Sequence, residues 1–419
     1  MKKLKEFNIV LKKSNKSVLL LIGGQSISRL GDSIQLVDLF WLVYELTGSE
    51  GLTSMIALCN ILPVVLLGFY CGAVVDKYNR KIILIFSDTV QSILYILVPV
   101  LYYMNLLKVQ LLFIIIFIIG ISRAFFYPTL RAILPSIVEK EHFASVNSVN
   151  TILTQAASMI GPVIAGFLTY YIGSINLFIL NSLTFLVSII TILKLTFKNN
   201  QLKSASCKDS EDEKIITVIM KGFRYVYHKK MIFYLILIFP LFTIITAGLT
   251  DIALLPYVKK VLLGSSIEYG LLQTCISIGV FIGGFLTIKL TKWNKFTLFL
   301  SGIVIVGVDF ILFGINSHIY FALLLMILLG LAFVLLEVCM VTLIQENVKE
   351  NMLGRVFSLW SVMGTTGDAF SYMYIAGVLS IISVQESFIL GGSILFIGGM
   401  IGFWQKFKFI SYIKHSRNL

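Results

Sequence analysis

Charged residues are scarce in this 419-residue sequence, which therefore lacks the polar surface of a water-soluble domain. Only 13% of the residues are Asp, Glu, Lys or Arg, whereas 58% are hydrophobic and the mean hydropathy is +0.93. Soluble globular domains carry about a quarter charged residues. The composition excludes an ordinary soluble fold and predicts an integral membrane protein.

Paired cysteines and the common motifs of catalysis are also missing. The five cysteines occur singly, without a CxxC pair, and four of them lie in apolar stretches. Neither a disulfide framework nor a zinc site is expected, and we predict no metal and no cofactor. The sequence has no GxxxxGK[ST] loop, HExxH pair or GxSxG elbow, and its four histidines are scattered. An ATP-driven exporter within one chain and an intramembrane enzyme are therefore both disfavoured.

Long apolar runs dominate the chain. A helix needs roughly 20 apolar residues to cross a bilayer, and about twelve stretches meet that length. They lie near residues 17–45, 51–75, 82–103, 108–134, 144–171, 174–196, 231–258, 267–290, 296–315, 318–345, 356–382 and 386–410. The first run follows a basic segment without a small-residue cleavage site, so we interpret it as a retained helix. We predict an all-α membrane protein with twelve transmembrane helices.

The net charge of +13 comes from Lys and Arg placed almost wholly on one side of the predicted membrane. The exceptions are the outer-loop residues Lys108, Lys259 and Lys260 and the intramembrane residues Arg29, Arg123 and Arg131. Such a bias predicts that both termini are cytoplasmic. It accounts for the basic charge without nucleic acid as a partner.

The longest polar stretch, residues 198–230, divides the chain into an N-terminal six-helix bundle, 1–197, and a C-terminal bundle, 231–419. Within this linker, residues 215–224 alternate apolar and basic residues, which predicts either a helix on the inner membrane surface or a solvated linker. A single gapless offset aligns four residue pairs and indicates a duplicated six-helix unit. The pairs are Gly120 with Gly330, Val138 with Val348, Val146 with Val356, and Ser148 with Ser358.

Several charged and polar residues fall within the predicted spans. A charged side chain at mid-bilayer costs about 2.5–3.5 kcal/mol on insertion scales, so such residues are functional candidates. Helical spacing places each set on one helix face. The candidates are Gln25, Arg29 and Asp32 in span one, Arg123, Tyr127 and Arg131 in span four, Asp251 in span seven, and Glu337 in span ten.

Proton coupling requires a carboxylate that changes its protonation state, usually beside a competing cation. Asp32 with Arg29 suits this role, although the two could instead form a permanent ion pair. Glu337 has no cation in its own turn and is the second candidate. Asp38 and Asp251, in the outer halves of their spans, could attract a cationic solute or contact outer water.

Other intramembrane carboxylates receive structural interpretations. Asp88 lies near the inner end of span three, where it would support a cytoplasmic latch. Asp309 and Asp368, in spans nine and eleven, are expected to make polar contacts between helices.

The loop after span two carries the most specific motif. Residues 72–81 read GAVVDKYNRK, which resembles the loop signature of the major facilitator superfamily. In that interpretation Gly72 permits close helix packing, while Asp76, Arg80 and Lys81 form a charge cluster that latches the cytoplasmic side. The alternative is a positively charged loop with a helix-capping Asp. The matching loop of the second half, residues 283–292, keeps Gly and Lys but lacks the Asp.

Span five contains Gly161, Pro162 and Gly166, similar to the Gly-Pro signature of exporters in this superfamily. Residues 124–128 and 353–358, the latter including Arg355, add to a resemblance with its drug-efflux branch of bacterial macrolide-efflux and enterobactin-exporter proteins. One departure lies in span four, where related macrolide exporters have Arg at the position of Ile119 and this chain has Arg123 one turn later.

The resemblance implies two six-helix bundles around a central cavity lined by helices one, four, seven and ten. It further implies a secondary transporter in a bacterial plasma membrane that exports amphipathic compounds such as macrolides in exchange for protons. The proton-coupling residues would be Arg29, Asp32, Arg123 and Glu337, and the cavity would include Gln25, Asp38, Tyr127 and Asp251. A small amphipathic solute, protons and the bilayer are the expected partners of a monomer. Siderophore or metabolite export, uptake by proton symport, and a non-transporting receptor remain the alternatives.

Overall fold

The structure, a computed structural model, describes residues 16–137, 143–195, 224–290 and 294–416, and in these ranges it is helical without a strand. Within these ranges twelve long helices follow one another along the chain. In the first half they are α1 (Lys16–Thr47), α2 (Glu50–Lys77), α3 (Arg80–Tyr103), α4 (Val109–Ile137), α5 (Phe143–Ile172) and α6 (Ser174–Leu193).

The second half begins with α7, which has three continuous pieces: α-helical Lys230–Ala247, π-helical Gly248–Ala253 and α-helical Leu254–Lys260. The remaining helices are α8 (Ser266–Leu290), α9 (Lys295–Ile315), α10 (Ile319–Asn347), α11 (Glu350–Leu379) and α12 (Val384–Ser416). The predicted all-α, twelve-helix membrane architecture is confirmed. The π-helical segment was not expected from the sequence.

Ten of the helices are long and apolar enough to cross a membrane. The two others, α1 and α11, are long enough but carry more polar residues. In α1 these include the predicted candidates Gln25, Arg29, Asp32 and Asp38. Polar residues in a membrane helix usually face protein rather than lipid, so the lower hydropathy of α1 marks a helix with a functional or packed interior face.

The chain divides into two compact units, Met1–Asp212 and Glu213–Leu419, and the division falls inside the predicted linker. The same helix pairs form in each unit. In the first unit α4 packs on α2, α6 on α3 and α5 on α1; in the second, α10 packs on α8, α12 on α9 and α11 on α7. The pairing therefore recurs after six helices, as duplication of a six-helix unit requires. The linker residues 215–223, where a surface helix was considered, lie outside the described residues.

Gly120 and Gly330, which the offset aligns, have the same packing role in the two units. A Cβ added to Gly120 would lie 2.8 Å from the Asn60 carbonyl oxygen of α2. A Cβ on Gly330 would collide with the Ile276 carbonyl oxygen of α8. Because apolar lipid supplies little hydrophobic force between helices, small residues at such crossings let backbones approach and gain van der Waals contact.

Each unit has its own apolar interior. In the first, Leu21, Leu84, Phe126 and Ile192 bring α1, α3, α4 and α6 together. In the second, the rings of Tyr257, Phe313 and Phe388 contact one another in tilted and edge-to-face arrangements between α7, α9 and α12. The Tyr257 hydroxyl donates to the carbonyl oxygens of Phe313 and Asn316, so this buried polar group is satisfied.

Candidate functional site

Four helices of the first unit meet at the guanidinium of Arg123 on α4. One nitrogen, Nη2, donates to Asp32 Oδ1 of α1 at 2.7 Å and to the Tyr95 hydroxyl of α3 at 2.9 Å. The other, Nη1, donates to Asn60 Oδ1 of α2 at 3.0 Å. We call these four residues the Arg123 cluster. It joins α1, α2, α3 and α4 through one side chain.

The local sequence explains how Arg123 reaches these partners. Gly120 lies almost one helical turn before it and brings α4 against the backbone of Asn60. Tyr95 is held in place by the rings of Phe178 and Phe185, whose centroids lie 6.0 and 5.6 Å from its own. Packing therefore holds Tyr95 and the backbone of Asn60 in place independently of Arg123. This limits the conformational entropy that is lost when the cluster forms.

Asp32 pairs with Arg123 and not, as expected, with Arg29. The Arg29 guanidinium carbon instead lies 4.7 Å from the centre of the Tyr127 ring, within range of a cation–π interaction. The reason is geometric: Arg29 and Asp32 are three residues apart, and α4 presents both a cation and an aromatic ring to that face of α1. Ile119 is fully buried, and Arg123 lies one turn later on α4.

Gln25 and Asp38, predicted to line a cavity, are buried inside the first unit. Gln25 is 3% exposed and donates through Nε2 to Ser188 Oγ of α6 at 3.0 Å. Asp38 is 0% exposed and accepts a hydrogen bond from Thr169 Oγ1 of α5 at 2.8 Å. Both side chains are engaged by helices of the first unit, and their assignment to a solute cavity stays a prediction.

Asp88, assigned to a cytoplasmic latch, is likewise inside the first unit. It is 0% exposed, and its Oδ2 accepts a 2.6 Å hydrogen bond from Ser188 Oγ. Because Ser188 also accepts from Gln25, one hydroxyl links α1, α3 and α6. The described contacts of Asp88 are therefore with α6 and not with the loop cations.

Arg80 and Lys81 of the loop motif contact backbone carbonyl groups near helix ends. Arg80 Nη1 donates to the Ala132 carbonyl oxygen at 2.9 Å, and Lys81 Nζ donates to those of Leu193 and Leu195 at 2.8 and 3.1 Å. Cations are favourable there because the last carbonyl groups of a helix carry partial negative charge. The side chains of Asp76, Arg131 and Arg355, and the surroundings of Gly72, lie outside the described residues.

The Gly-Pro motif of α5 lies at a helix crossing. A Cβ on Gly161 would lie 2.6 Å from Ser33 Cβ of α1, so only glycine fits at this separation. Pro162 is inside the helix, which continues through it from Phe143 to Ile172, and Gly166 is buried. The motif thus brings α5 against the helix that carries Asp32.

The membrane helices of the second unit carry Asp and Glu but have no Lys or Arg in their central parts. Asp251 Oδ2 of α7 accepts a 2.9 Å hydrogen bond from the Tyr372 hydroxyl of α11. Asp368 lies one turn before Tyr372 on α11 and is partly exposed. Glu337 is exposed on α10 and has no ion-pair partner among the described residues.

Asp309, expected to make a polar contact between helices, has none within the described part of the chain. It is 3% exposed on α9, and neither of its carboxylate oxygens has a hydrogen-bond partner there. Both α10 and α12 pack against α9, and tight helix contacts around glycines exclude polar neighbours.

Several site residues escaped the sequence analysis: Asn60, Tyr95, Ser188, Ser371 and Tyr372. Neutral polar side chains are common in membrane helices, and nothing in their own spacing singles them out. Their position relative to a charged residue on another helix gives them a role, and only the packing reveals it.

The hydrogen bonds of the Arg123 cluster suit both charge states of Asp32. If Asp32 gains a proton, it loses its charge, and Arg123 keeps two neutral acceptors in Tyr95 and Asn60. If Asp32 is ionised, the guanidinium balances it. A buried pair with neutral acceptors can therefore change its protonation without leaving the cation wholly unbonded. No group of three or more His, Cys, Asp or Glu suited to a metal ion occurs among the described residues.

Comparison with protein families and known proteins gives consistent results over nearly the whole chain. The family described as transmembrane secretion effector matches residues 16–416. Macrolide efflux protein A of Streptococcus pyogenes is 25% identical over 378 residues, covering 89% of this chain and 91% of that protein. The Staphyloferrin A transporter of Staphylococcus aureus is 26% identical over 341 residues, covering 79% and 81% of the two chains.

Solved structures with the same fold are more distant in sequence. The nucleoside transporter NupG has a TM-score of 0.72 at 15% identity, covering 93% of this chain and 99% of that one. A bacterial homologue of the iron transporter ferroportin, in an inward-facing state, has a TM-score of 0.71 at 16% identity, covering 92% and 97%. At these identities the likeness establishes the fold alone.

Proposed function

Since this chain belongs to the transmembrane secretion effector family of major facilitator transporters, we propose that it exports amphipathic compounds in exchange for protons. It is a multi-pass membrane transporter and not an enzyme. In the proposed cycle, a solute binds from the cytosol or inner leaflet, a proton arrives from outside, and protonation accompanies solute release. The plasma membrane of a bacterium, with both termini cytoplasmic, is the proposed setting.

The observation that carries this proposal is the Asp32–Arg123 ion pair with its two neutral acceptors. A coupling carboxylate must be stable both ionised and protonated, and Tyr95 and Asn60 support the second state. Arg29, held over Tyr127, adds a second cation next to Asp32. Glu337, the second candidate, is exposed on α10 and could receive a proton directly from water.

The proposed solute class follows from charge and from the relatives. The membrane helices of the second unit carry the carboxylates Asp251, Glu337 and Asp368 but no Lys or Arg in their central parts, which favours a cationic amphipathic solute. The macrolide efflux protein supports a macrolide as first choice. The second candidate, export of a siderophore or metabolite, is supported by the relative named as a Staphyloferrin A transporter. Uptake by proton symport would use the same residues in the opposite direction.

The cytoplasmic loop motif has a proposed role as a gate. Gly72, Asp76, Arg80, Lys81 and Arg355 would hold the cytoplasmic side closed in one state of the cycle. The contacts of Arg80 and Lys81 with helix-end carbonyl groups support this, since a competing carboxylate could displace such bonds.

The test is accumulation of a radiolabelled macrolide in efflux-deficient cells with and without this protein, with a protonophore added midway. We expect low accumulation that rises when the protonophore is added, and we expect Asp32→Asn to accumulate the macrolide like cells without the protein. Glu346→Gln, on the exposed end of the same α10 that carries Glu337, is the matched control and should export normally. Equal accumulation in all cells would reject macrolides, and normal export by both Asp32→Asn and Glu337→Gln would reject the proton assignment.

A further inference from the structure

A serine of α11 is inserted into the backbone ladder of α7. In an α-helix the Gly248 amide would donate to the Ile244 carbonyl oxygen four residues before it. Here Gly248 N–H donates to Ser371 Oγ at 2.6 Å, and Ser371 Oγ donates to the Ile244 carbonyl oxygen at 2.6 Å. The hydroxyl therefore bridges the two groups that would otherwise bond to each other. Insertion of a side chain into the ladder is a recognised cause of local helix distortion.

The π-helical segment Gly248–Ala253 begins at this opened turn. A Cβ on Gly248 would lie 2.8 Å from Ile375 Cβ and 2.9 Å from the Ser371 carbonyl oxygen, so glycine allows α11 to approach closely enough for the insertion. Such π-bulges often occur at functional sites in proteins. The cause here is a single hydroxyl from a neighbouring helix.

Side chains bond backbone oxygens just before the segment and within it. Thr250 Oγ1 donates to the Thr246 carbonyl oxygen at 3.0 Å. Two side chains of α8 also donate to this segment. Gln273 Nε2 donates to the Thr250 carbonyl oxygen at 3.2 Å, and the Tyr269 hydroxyl donates to the backbone carbonyl oxygen of Asp251 at 3.4 Å. The segment is thus held by α11 on one side and by α8 on the other. Buried backbone groups in a membrane protein need such partners.

Asp251 lies in the middle of this segment, and its direction depends on the helix type. One residue changes the direction of a side chain by about 100° in an α-helix, so an added residue in one turn redirects those around it. With the turn opened, the Asp251 carboxylate meets the Tyr372 hydroxyl at 2.9 Å. Ser371 and Tyr372 are adjacent on α11, so neighbouring residues open the turn and bind the carboxylate.

We infer that Ser371 is a positioning residue: its hydroxyl keeps the α7 turn open and thereby directs Asp251 towards Tyr372. The inference rests on the proposed function only for its consequence, which is that Asp251 faces the cationic solute or proton in this orientation. Without the hydroxyl, Gly248 N–H can donate to the Ile244 carbonyl oxygen, and the segment can close into an α-helix that rotates Asp251 away. The structural part needs no substrate to be tested.

The first experiment measures the coupling between Asp251 and Tyr372 by melting temperature in detergent, without solute. Asp251→Asn, Tyr372→Phe and their combination are made in the wild-type chain and again with Ser371→Ala. We expect the two substitutions to be non-additive in the wild-type chain and additive with Ser371→Ala, because the pair no longer meets. Ser380→Ala is the matched control, since among the described residues that hydroxyl, at the end of α11, donates to the Gly377 carbonyl oxygen of the same helix. The same coupling with and without Ser371 would overturn the inference.

The second experiment uses a deletion and covers the case in which Ser371→Ala lowers the yield of folded protein. Deleting Leu249 removes the extra residue of the opened turn and lets α7 continue as an α-helix. Ser371→Ala should then lower the melting temperature in the full chain but not in the deleted chain. An equal loss in both would mean that Ser371 only fills space, and would contradict the inference.

Transport separates this inference from the proposed function. If a macrolide is exported, Ser371→Ala should reduce export in the wild-type chain and have no further effect in Asp251→Asn. Absence of macrolide export would count against the proposed function alone, because both melting experiments are independent of substrate. Additive losses of export from Ser371→Ala and Asp251→Asn would contradict the role of Ser371 in directing Asp251.

Discussion

The Nη2 atom of Arg123 lies 2.7 Å from Oδ1 of Asp32, a residue 91 positions earlier in the chain. Both side chains are mostly enclosed by the first unit, with 14% and 19% of their surfaces exposed. Water therefore compensates either charge poorly if the other is removed. The two residues are best regarded as one functional group whose charge state is shared.

Removing one member of this pair should destabilise the protein more than removing both. Asp32→Asn removes the carboxylate charge but leaves Tyr95 and Asn60 as neutral acceptors for Arg123, so we expect a loss smaller than the about 3–5 kcal/mol that breaking a fully buried pair costs. We expect Asp32→Asn to lower the melting temperature and the double variant Asp32→Asn with Arg123→Gln to recover part of the loss. Thermal unfolding in detergent measures both.

An exposed ion pair provides the control. Lys295 and Glu346 form a pair in the second unit in which the Glu346 side chain is 49% exposed, and exposed pairs contribute about 0–1 kcal/mol. Lys295→Gln should change the melting temperature little. If the double variant at the Arg123 cluster is less stable than Asp32→Asn alone, the pair does not act as one group.

The repeated glycine crossings predict a matched pair of effects. Gly120→Ala and Gly330→Ala each place a methyl group against a carbonyl oxygen of the neighbouring helix, and overpacking typically costs about 1–3 kcal/mol. Both should lower the melting temperature. Gly284→Ala is the control, because no atom lies within 4 Å of its added Cβ. An unchanged melting temperature for both crossing variants would argue against their equivalent packing roles.

Much of the fold could be predicted from the sequence because membrane spans leave a strong signal. Twenty apolar residues in a row have few alternatives to a transmembrane helix, and the Lys and Arg bias indicates orientation. The duplication was visible in Gly120 and Gly330, whose close contacts now give it a physical reason. The π-helical segment was not visible, because its cause is Ser371, more than one hundred residues away on another helix.

The site was predicted less completely, for a related reason. Helical spacing placed Arg29 and Asp32 on one face of α1, and Arg123 and Tyr127 on one face of α4. It could not show which residues of the two helices contact each other. It therefore joined Asp32 to the nearest cation in sequence, whereas α4 presents Arg123 to it. Spacing also gives no depth, so it could not predict that Gln25 and Asp38 are buried against α6 and α5.

Asp309 allows a test of whether its buried carboxylate destabilises the protein. Its carboxylate is buried without a hydrogen-bond partner among the described residues, and such a group costs about 1–3 kcal/mol. Asp309→Val should raise the melting temperature, and Asp309→Asn, which keeps the polarity, should change it less. A lower melting temperature for Asp309→Val than for Asp309→Asn would show that this carboxylate has a polar role.

The contact between Arg29 and Tyr127 predicts which part of the tyrosine matters. The ring face attracts the guanidinium, and the hydroxyl is not needed for that attraction. Tyr127→Phe should keep export close to the wild-type level, whereas Tyr127→Leu should reduce it. Initial rates of solute efflux compare the two, and equal loss in both variants would assign the role to the hydroxyl.

The most direct test of proton-coupled export is proton movement in proteoliposomes that contain the purified protein and an internal pH-sensitive dye. A macrolide gradient across the membrane should drive protons in the opposite direction for the wild-type protein, and Asp32→Asn should abolish this proton movement. Macrolide transport without proton movement, or equal proton movement by Asp32→Asn, would contradict the account.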